Sequence, residues 1–381
     1  MLLRQLPRRL NTSSVMTVSV HGQDSQSVNI LGLNLREMEL FFAEHGEKSF
    51  RASQLLKWIH QQGEVDFQKM TNISKSLRDK LSTIAKVELP EVIADRTSVD
   101  GTRKWLLKFE DGNSVEAVFI PTKGRGTLCI SSQVGCSLNC SFCNTAQHGY
   151  SRNLTSAEII AQLWMADRLL GREGPGSHQR VITNVVLMGM GEPLLNFDAV
   201  VSAMELMMED FAYGLSRRRI TLSTSGVVPM IDKLKDECQV SLAVSLHATN
   251  DELRDQLVPI NKKYPLKELL DSCRRYVEGS PRKRVTIEYI LLGGVNDSSA
   301  DAQALVKLLK TVPSKVNLIP YNPFTDGEYK VPTMEAIDKF QEIVARSGIT
   351  TVTRKTRGED IDAACGQLAG KFKARTKRGL Q

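Results

Sequence analysis

The sequence predicts an α/β fold, an incomplete (β/α)6 barrel carrying a small helical N-terminal domain and a β-hairpin extension. Three observations predict it. From Thr127 onward, apolar runs of strand length alternate with helical patterns, as in a parallel sheet buried on both faces. Functional-looking residues end several successive strands, which favours a barrel over a doubly wound sheet. The 381 residues suffice for one large domain of roughly 250–300 residues and a smaller one.

Residues 1–30 read as a flexible leader. Arg4, Arg8 and Arg9 lie there with Thr12, Ser13 and Ser14, and no acidic residue precedes Asp24. An unstructured leader, with Met16 as an alternative start, is preferred to an organelle-targeting peptide, and there is no signal-peptide apolar core. Residues 31–90 form the helical domain. Leu35, Met38, Leu40, Phe41 and Phe42 make one apolar set, Leu55, Leu56, Trp58 and Ile59 the next, and Gly63 closes the segment. Residues 91–126 form the extension, because 104–121 alternate about the turn pair Asp111-Gly112.

The barrel occupies 127–355. Its strands are expected at Leu128–Val134, Val185–Met188, Arg219–Ser223, Val240–Ser245, Val285–Leu291 and Val316–Ile319. Helices are expected at 196–209, Val227–Leu234, 250–257, 266–278, 298–311 and 333–347. The first barrel helix opens at Thr155, whose Glu158 makes a capping box. A short strand follows at 350–354, and 356–381 form a C-terminal segment with a basic tail.

An apolar fraction of 41% and a charged fraction of 24% are ordinary for a soluble globular protein. No stretch approaches the roughly 18–20 apolar residues of a membrane span, so no membrane partner is expected. The net charge of +7 is modest; its clustering says more. Basic groups gather at Arg217-Arg218-Arg219, Lys262-Lys263, Arg282-Lys283-Arg284, Arg354-Lys355 with Arg357, and from Lys371 to Arg378. Such clusters supply phosphate contacts, although each alone fits a solvated surface equally well. The tail carries no acidic residue after Asp362 and is expected to be disordered until nucleic acid binds.

Seven cysteines are present, an odd number, and three of them fall within eight residues. That distribution argues for a reduced, cytoplasmic compartment and a metal or catalytic use. In Cys136-x3-Cys140-x2-Cys143, one loop after the first barrel strand wraps three thiolates around one metal centre and leaves a coordination position open. An open iron is where an iron–sulfur cluster becomes reactive, whereas four cysteines leave an electron carrier. A structural zinc site is the alternative. It needs a fourth ligand, for which His148 is nearest, and C-x2-C pairs are its commoner signature. Read alone, Cys129 and Cys365 are small buried apolar residues. Cys238 and Cys273 are read as structural.

Cys-x3-Cys-x-Phe-Cys after a first strand resembles the radical S-adenosylmethionine (radical SAM) superfamily. The segments TLCISSQVGCSLNCSFCNTAQHGYSRNL, LMGMGEPLLN, TLSTSGVVP, SLAVSLHA and RGEDIDAACGQL together resemble the RlmN/Cfr family of RNA adenine methyltransferases, in order from about residue 30 to 370. The resemblance implies a 4Fe-4S cluster on Cys136, Cys140 and Cys143. It implies S-adenosylmethionine contacts at Gly191, Glu192, Ser223, Ser245, Leu246, His247 and Asn322. The Gly189-Met190-Gly191 run lacks the third glycine of a dinucleotide fingerprint, since position 194 is Leu.

By the same resemblance, Cys365 accepts a methyl group from a first S-adenosylmethionine, and radical cleavage of a second removes hydrogen from that S-methyl. The methylene radical adds to the adenine ring. Cys129 then attacks the adduct and forms a disulfide with Cys365 as product leaves, with Glu116 as proton acceptor. The implied substrates are adenosine C2 in 23S ribosomal RNA (rRNA) and in a subset of transfer RNAs (tRNAs), with an electron donor as a further partner, in a cytoplasmic monomer. The helical domain is implied to dock RNA. Methylation at C8 is the nearest alternative. A radical enzyme acting on a peptide or small molecule, and a non-catalytic zinc-containing RNA-binding protein, are the others.

Overall fold

The computed structural model describes residues 27–171, 180–280, 282–325 and 327–371. The leader before residue 27 and the basic tail beyond Lys371 lie outside the described residues.

The helical domain is tied at its ends by two short parallel strands, β1 (Val28–Asn29) and β2 (Ala85–Lys86). Between them run α1 (Leu35–Glu44), α2 (Phe50–Leu56) and α3 (Lys75–Ile84). Asn34 and Glu37 form a capping box at the start of α1, satisfying amides the first turn leaves unpaired. After α2 a π-helical turn over Lys57–Gln62 ends where Gly63 adopts a left-handed conformation, the stop the sequence predicts. Met38, Phe41, Phe42, Leu55, Leu56 and Ile59 are buried as expected, while Leu40 is exposed.

The extension is larger than a hairpin. Three antiparallel strands, β3 (Glu91–Thr97), β4 (Arg103–Lys108) and β5 (Ser114–Thr122), pair in sequence and continue onto β6 (Arg125–Cys129). Among the described residues they form one edge of a ten-stranded sheet, beyond β6. The expected first barrel strand, Leu128–Val134, breaks in two. At Ser131 the backbone leaves the ladder and bonds instead to the buried Gln162 side chain, which accepts from the Ser131 N–H at 2.8 Å and donates to its carbonyl at 2.9 Å. The chain re-forms as β7 (Gln133–Gly135), which pairs antiparallel with β8 (Tyr150–Asn153) around the short helix α4 (Asn144–Gln147).

The barrel proper follows as α5 (Ser156–Leu169), β9 (Asn184–Leu187), α6 (Phe197–Met208), β10 (Ile220–Thr224), α7 (Val228–Glu237), β11 (Ser241–Ser245), α8 (Asp251–Leu257), α9 (Leu266–Val277), β12 (Val285–Leu291), α10 (Ser299–Leu309), β13 (Ser314–Pro320), α11 (Met334–Arg346) and β14 (Thr351–Thr353). Strands β6 and β9 to β14 are parallel, and the Thr155–Glu158 capping box is present. The helical domain is welded to this frame. Trp164 on α5 donates its indole N–H to the Ile59 carbonyl at 2.8 Å, and Ser156 donates to the Gly32 carbonyl at 2.8 Å. A Cβ at Gly32 would lie 2.1 Å from the Ala157 amide nitrogen, so only glycine allows this approach.

Candidate active site

Cys136, Cys140 and Cys143 occupy the loop between β7 and α4. Asn139 (φ 53°) supplies a left-handed turn within it, and the Ser141 N–H donates to the Leu257 carbonyl at 3.2 Å, seating the loop on the end of α8. The three thiols line a solvent-open cleft of about 910 Å³ with strand-end residues Gly191, Glu192, Ser223, Ser245 and His247. The fold thus gathers these eight sequence-predicted residues at the carboxyl ends of the strands. Of the non-glycine residues with positive φ among those described, Asn139 lies in the cysteine loop and His247 lines the cleft, where backbone strain is characteristically held, whereas Asp362 lines a separate cavity with Lys104 and Glu116.

Burial, reinforced by neighbouring thiols, pushes the Cys140 thiol up to about 12 and that of Cys136 well above its usual value; burial also raises Cys143. Such thiols stay protonated until a cationic centre takes them as thiolates. This donor set suits an iron–sulfur cluster, in which each sulfur takes a different iron. Among the described residues no three His, Cys, Asp or Glu side chains gather around the position of a single metal ion, and His148 is exposed.

Glu192 is buried, and burial pushes its carboxyl up to about 7. It accepts from the Ser225 N–H at 2.8 Å and the Leu194 N–H at 3.1 Å, while its own N–H donates to Gln133 at 2.8 Å. Gly191 (φ 100°) cannot carry a side chain, since its Cβ would meet Gln133 Cβ at 2.5 Å. His247 accepts from the Ile290 N–H through Nδ1 at 3.0 Å, which leaves its proton on Nε2. Burial, followed by the Arg254 charge, lowers its pKa to about 3, so the ring is neutral. Leu246, expected among the ligand contacts, is wholly buried and does not line the cleft; its N–H donates to the Glu288 carbonyl at 3.0 Å and its carbonyl accepts from Arg254 at 3.0 Å.

A second cavity, of about 670 Å³, brings together Cys129, Cys365, Asn322 and Arg354. Cys365 lines both this cavity and the first cleft. Burial and then the nearby Cys365 push the Cys129 thiol up to about 12. Asn322 borders this cavity and not the first cleft; it donates to the Cys365 carbonyl at 3.2 Å and accepts from Thr356 at 3.0 Å, so it anchors the thiol-bearing segment. Cys238 and Cys273 are buried apart from both cavities.

Arg354, expected in a surface cluster, sits in the cavity wall. Its guanidinium hydrogen-bonds Cys365, and the charges of Cys365, Glu288 and Cys129 hold its pKa up. Glu288, another residue sequence reasoning missed, is buried and accepts from Asn317 at 2.6 Å. The strand-end rule that located His247 applies equally to Arg354, which directly follows β14. Glu116 stands apart. It is near the start of β5, and it lines neither cysteine cavity. Its carboxylate pairs with Lys104 at 3.1 Å and accepts from the Ala369 N–H at 3.0 Å. Val118 and Ile120, two and four residues on and therefore on the same strand face, do line the Cys129 cavity.

A cysteine loop at the head of a parallel partial barrel defines a radical SAM enzyme, and the radical SAM superfamily model matches residues 130–306. A solved radical SAM methyltransferase from Sphaerobacter thermophilus superposes with a TM-score of 0.83 at 43% identity, covering 90% of this chain and 99% of that one. The model of the ribosomal RNA large subunit methyltransferase N-terminal domain matches residues 28–87. Two proteins called dual-specificity RNA methyltransferase RlmN are similar over nearly their whole length. The one from Marinobacter nauticus is 57% identical over 93% of this chain and 96% of its own, and the one from Pseudomonas entomophila 56% identical over 92% and 93%. The chain belongs to the RlmN family of radical SAM RNA methyltransferases. Its cofactors are a 4Fe-4S cluster and S-adenosylmethionine.

Proposed function

We propose that the protein methylates C2 of adenosine in 23S rRNA and in a subset of tRNAs, through an S-methylcysteine formed on Cys365. One observation carries the reading: Cys365 borders both the cleft lined by the three loop cysteines and the cavity holding Cys129. A methyl group on its sulfur is therefore accessible from the cofactor side and from the substrate side. Cys136, Cys140 and Cys143 hold the cluster, which with S-adenosylmethionine supplies a 5′-deoxyadenosyl radical. Glu192 binds the ligand's ammonium group, the arrangement a buried carboxylate favours, and neutral His247 offers its Nε2–H. Cys129 is the resolving thiol. For Glu116 to accept a proton, the Leu368–Ala369 segment has to lift from its carboxylate, since that segment covers it.

The RNA enters from the opposite end of the barrel. A third cavity of about 1060 Å³ runs from Arg125, Lys355 and Arg357 past Asn184, Thr221 and Asn317 to Glu288 and Arg354. Arg217 to Arg219 precede β10 and Arg282 to Arg284 precede β12, so these exposed charges ring the same amino-terminal face. They suit phosphate contacts around a splayed-out adenosine. No helix among the described residues is long and apolar enough to cross a membrane; the enzyme acts as a cytoplasmic monomer fed by a separate electron donor.

The test is incubation of anaerobically reconstituted protein with S-adenosylmethionine, reductant and unmodified RNA, followed by nucleoside mass spectrometry. Wild type is expected to yield 2-methyladenosine, and Cys365→Ala none. A C8 product would overturn the regiochemistry alone, and a methylating Cys365→Ala would overturn the intermediate.

A further inference from the structure

Arg254 on α8 has no solvent exposure. Its guanidinium donates to the Ser225 carbonyl at 2.7 Å, the Ser245 carbonyl at 3.0 Å, the Leu246 carbonyl at 3.0 Å and the Asn261 side-chain oxygen at 2.9 Å. The first three acceptors sit at or just beyond the ends of β10 and β11, the strands that carry Ser223, Ser245 and His247 into the cofactor cleft. Ser225 does more than accept. Its N–H donates to Glu192 at 2.8 Å, and its side chain hydrogen-bonds Cys140. One guanidinium therefore braces the carboxylate side and the cysteine side of the cleft together.

The charge is as informative as the bonds. Among the described ion pairs none involves Arg254; Asp251 and Asp255 act on its charge from nearby, and Asn261 bridges them to it, its amide donating to their carboxylates at 2.9 and 2.7 Å. A buried guanidinium without an adjacent carboxylate is costly unless another anion lies close. Cys140 is the group whose negative charge acts most strongly on it. A thiol that ligates a metal centre does so as the thiolate.

We propose that Arg254 is a positioning residue with two functions: it is the buried counter-charge of the thiolate-ligated cluster, and it braces the strand ends that grip S-adenosylmethionine. The inference rests on the placement of the cluster on Cys136, Cys140 and Cys143. A fixed positive charge in a low-dielectric site favours the more negative, reduced cluster. Arg254 therefore makes the cluster easier to reduce.

The experiment is a redox titration of the reconstituted full-length protein, followed by visible absorption and electron paramagnetic resonance, with iron content and S-adenosylmethionine affinity measured alongside. Arg254→Gln is expected to move the midpoint potential to a more negative value and to weaken S-adenosylmethionine binding about tenfold or more, the loss of hydrogen bonds to a charged group. Arg254→Lys keeps the charge and loses most of the brace, so the potential stays near wild type while affinity falls. Should Arg254→Gln fail to fold, Asp255→Asn on the half-buried face of the same helix tests the charge with reversed sign, and its midpoint should become less negative. Full iron loading with unchanged midpoints in the charge-altering variants would overturn the counter-charge. Wild-type protein that loads no iron, or keeps its cluster after Cys140→Ala, would remove the cluster placement instead.

Discussion

The two ends of the barrel obey opposite electrostatic rules. At the carboxyl ends of the strands, the cofactor cleft is lined by buried groups that burial drives toward neutrality: thiols pushed up, Glu192 raised to about 7, His247 lowered to about 3. At the amino ends, Arg125 at the start of β6, Arg217 to Arg219 before β10 and Arg282 to Arg284 before β12 stand exposed to water. On the proposed function, the difference matches what each end would bind. A small charged ligand is gripped most strongly where few, fixed partners act in a low dielectric, whereas a polyanion is attracted over a distance by many solvated charges. Cys365 and Arg354 lie where the two environments meet.

The comparison is sharpened first at the cleft. Glu192→Gln should weaken S-adenosylmethionine binding roughly ten- to a hundredfold, the loss of a charge-assisted contact, while leaving RNA affinity unchanged; calorimetry against each ligand would show it. The pH dependence follows from the same residue. Its folded pKa of about 7 exceeds the unfolded value of 4.5, so the ligand-free fold holds a proton that the unfolded chain has lost. Fold stability from this group therefore declines as pH rises from 4.5 through about 7, and then levels. An ammonium ligand favours the ionised carboxylate, so affinity should fall by up to about tenfold per pH unit as pH drops below 7. A flat binding profile between pH 5 and 7 would contradict the electrostatic reading of the cleft.

At the mouth the effect is smaller and salt-dependent. Replacing Arg217, Arg218 and Arg219 by Ala should make the dependence of RNA affinity on salt shallower by about one per phosphate contact removed. S-adenosylmethionine affinity should not move. The mildest expected consequence for chemistry comes from the helical domain. Gly32→Ala forces a methyl group into the Ala157 backbone, which should cost roughly 1–3 kcal/mol of stability and appear as a lower Tm with the cleft intact.

Much of the fold was legible because helices and buried strands advertise themselves locally. The strand Val285–Leu291 lies where its apolar run predicts, and Thr155 caps α5 as its Glu158 indicates. The extension was under-read because β3 is mostly exposed and polar, so its alternation carries little signal. The break after Cys129 was invisible because the residues that follow stay buried; what changes is the hydrogen-bond partner, the Gln162 side chain in place of a strand.

By itself the sequence determined the three-thiol loop, since three thiols within eight residues have to share one neighbourhood whatever the fold. It also determined the order of strands and helices from α5 to β14, and through its motifs the family. Only the tertiary structure decided that Cys129 and Cys365 share a cavity, that Asn322 holds the Cys365 segment, that Glu116 is covered, that Arg354 lines the cavity wall and that Arg254 is an interior charge. The reason is range. Periodicity and spacing report on neighbours a few residues away, whereas burial, and with it the charge state of every group in this site, depends on which distant strands close over it.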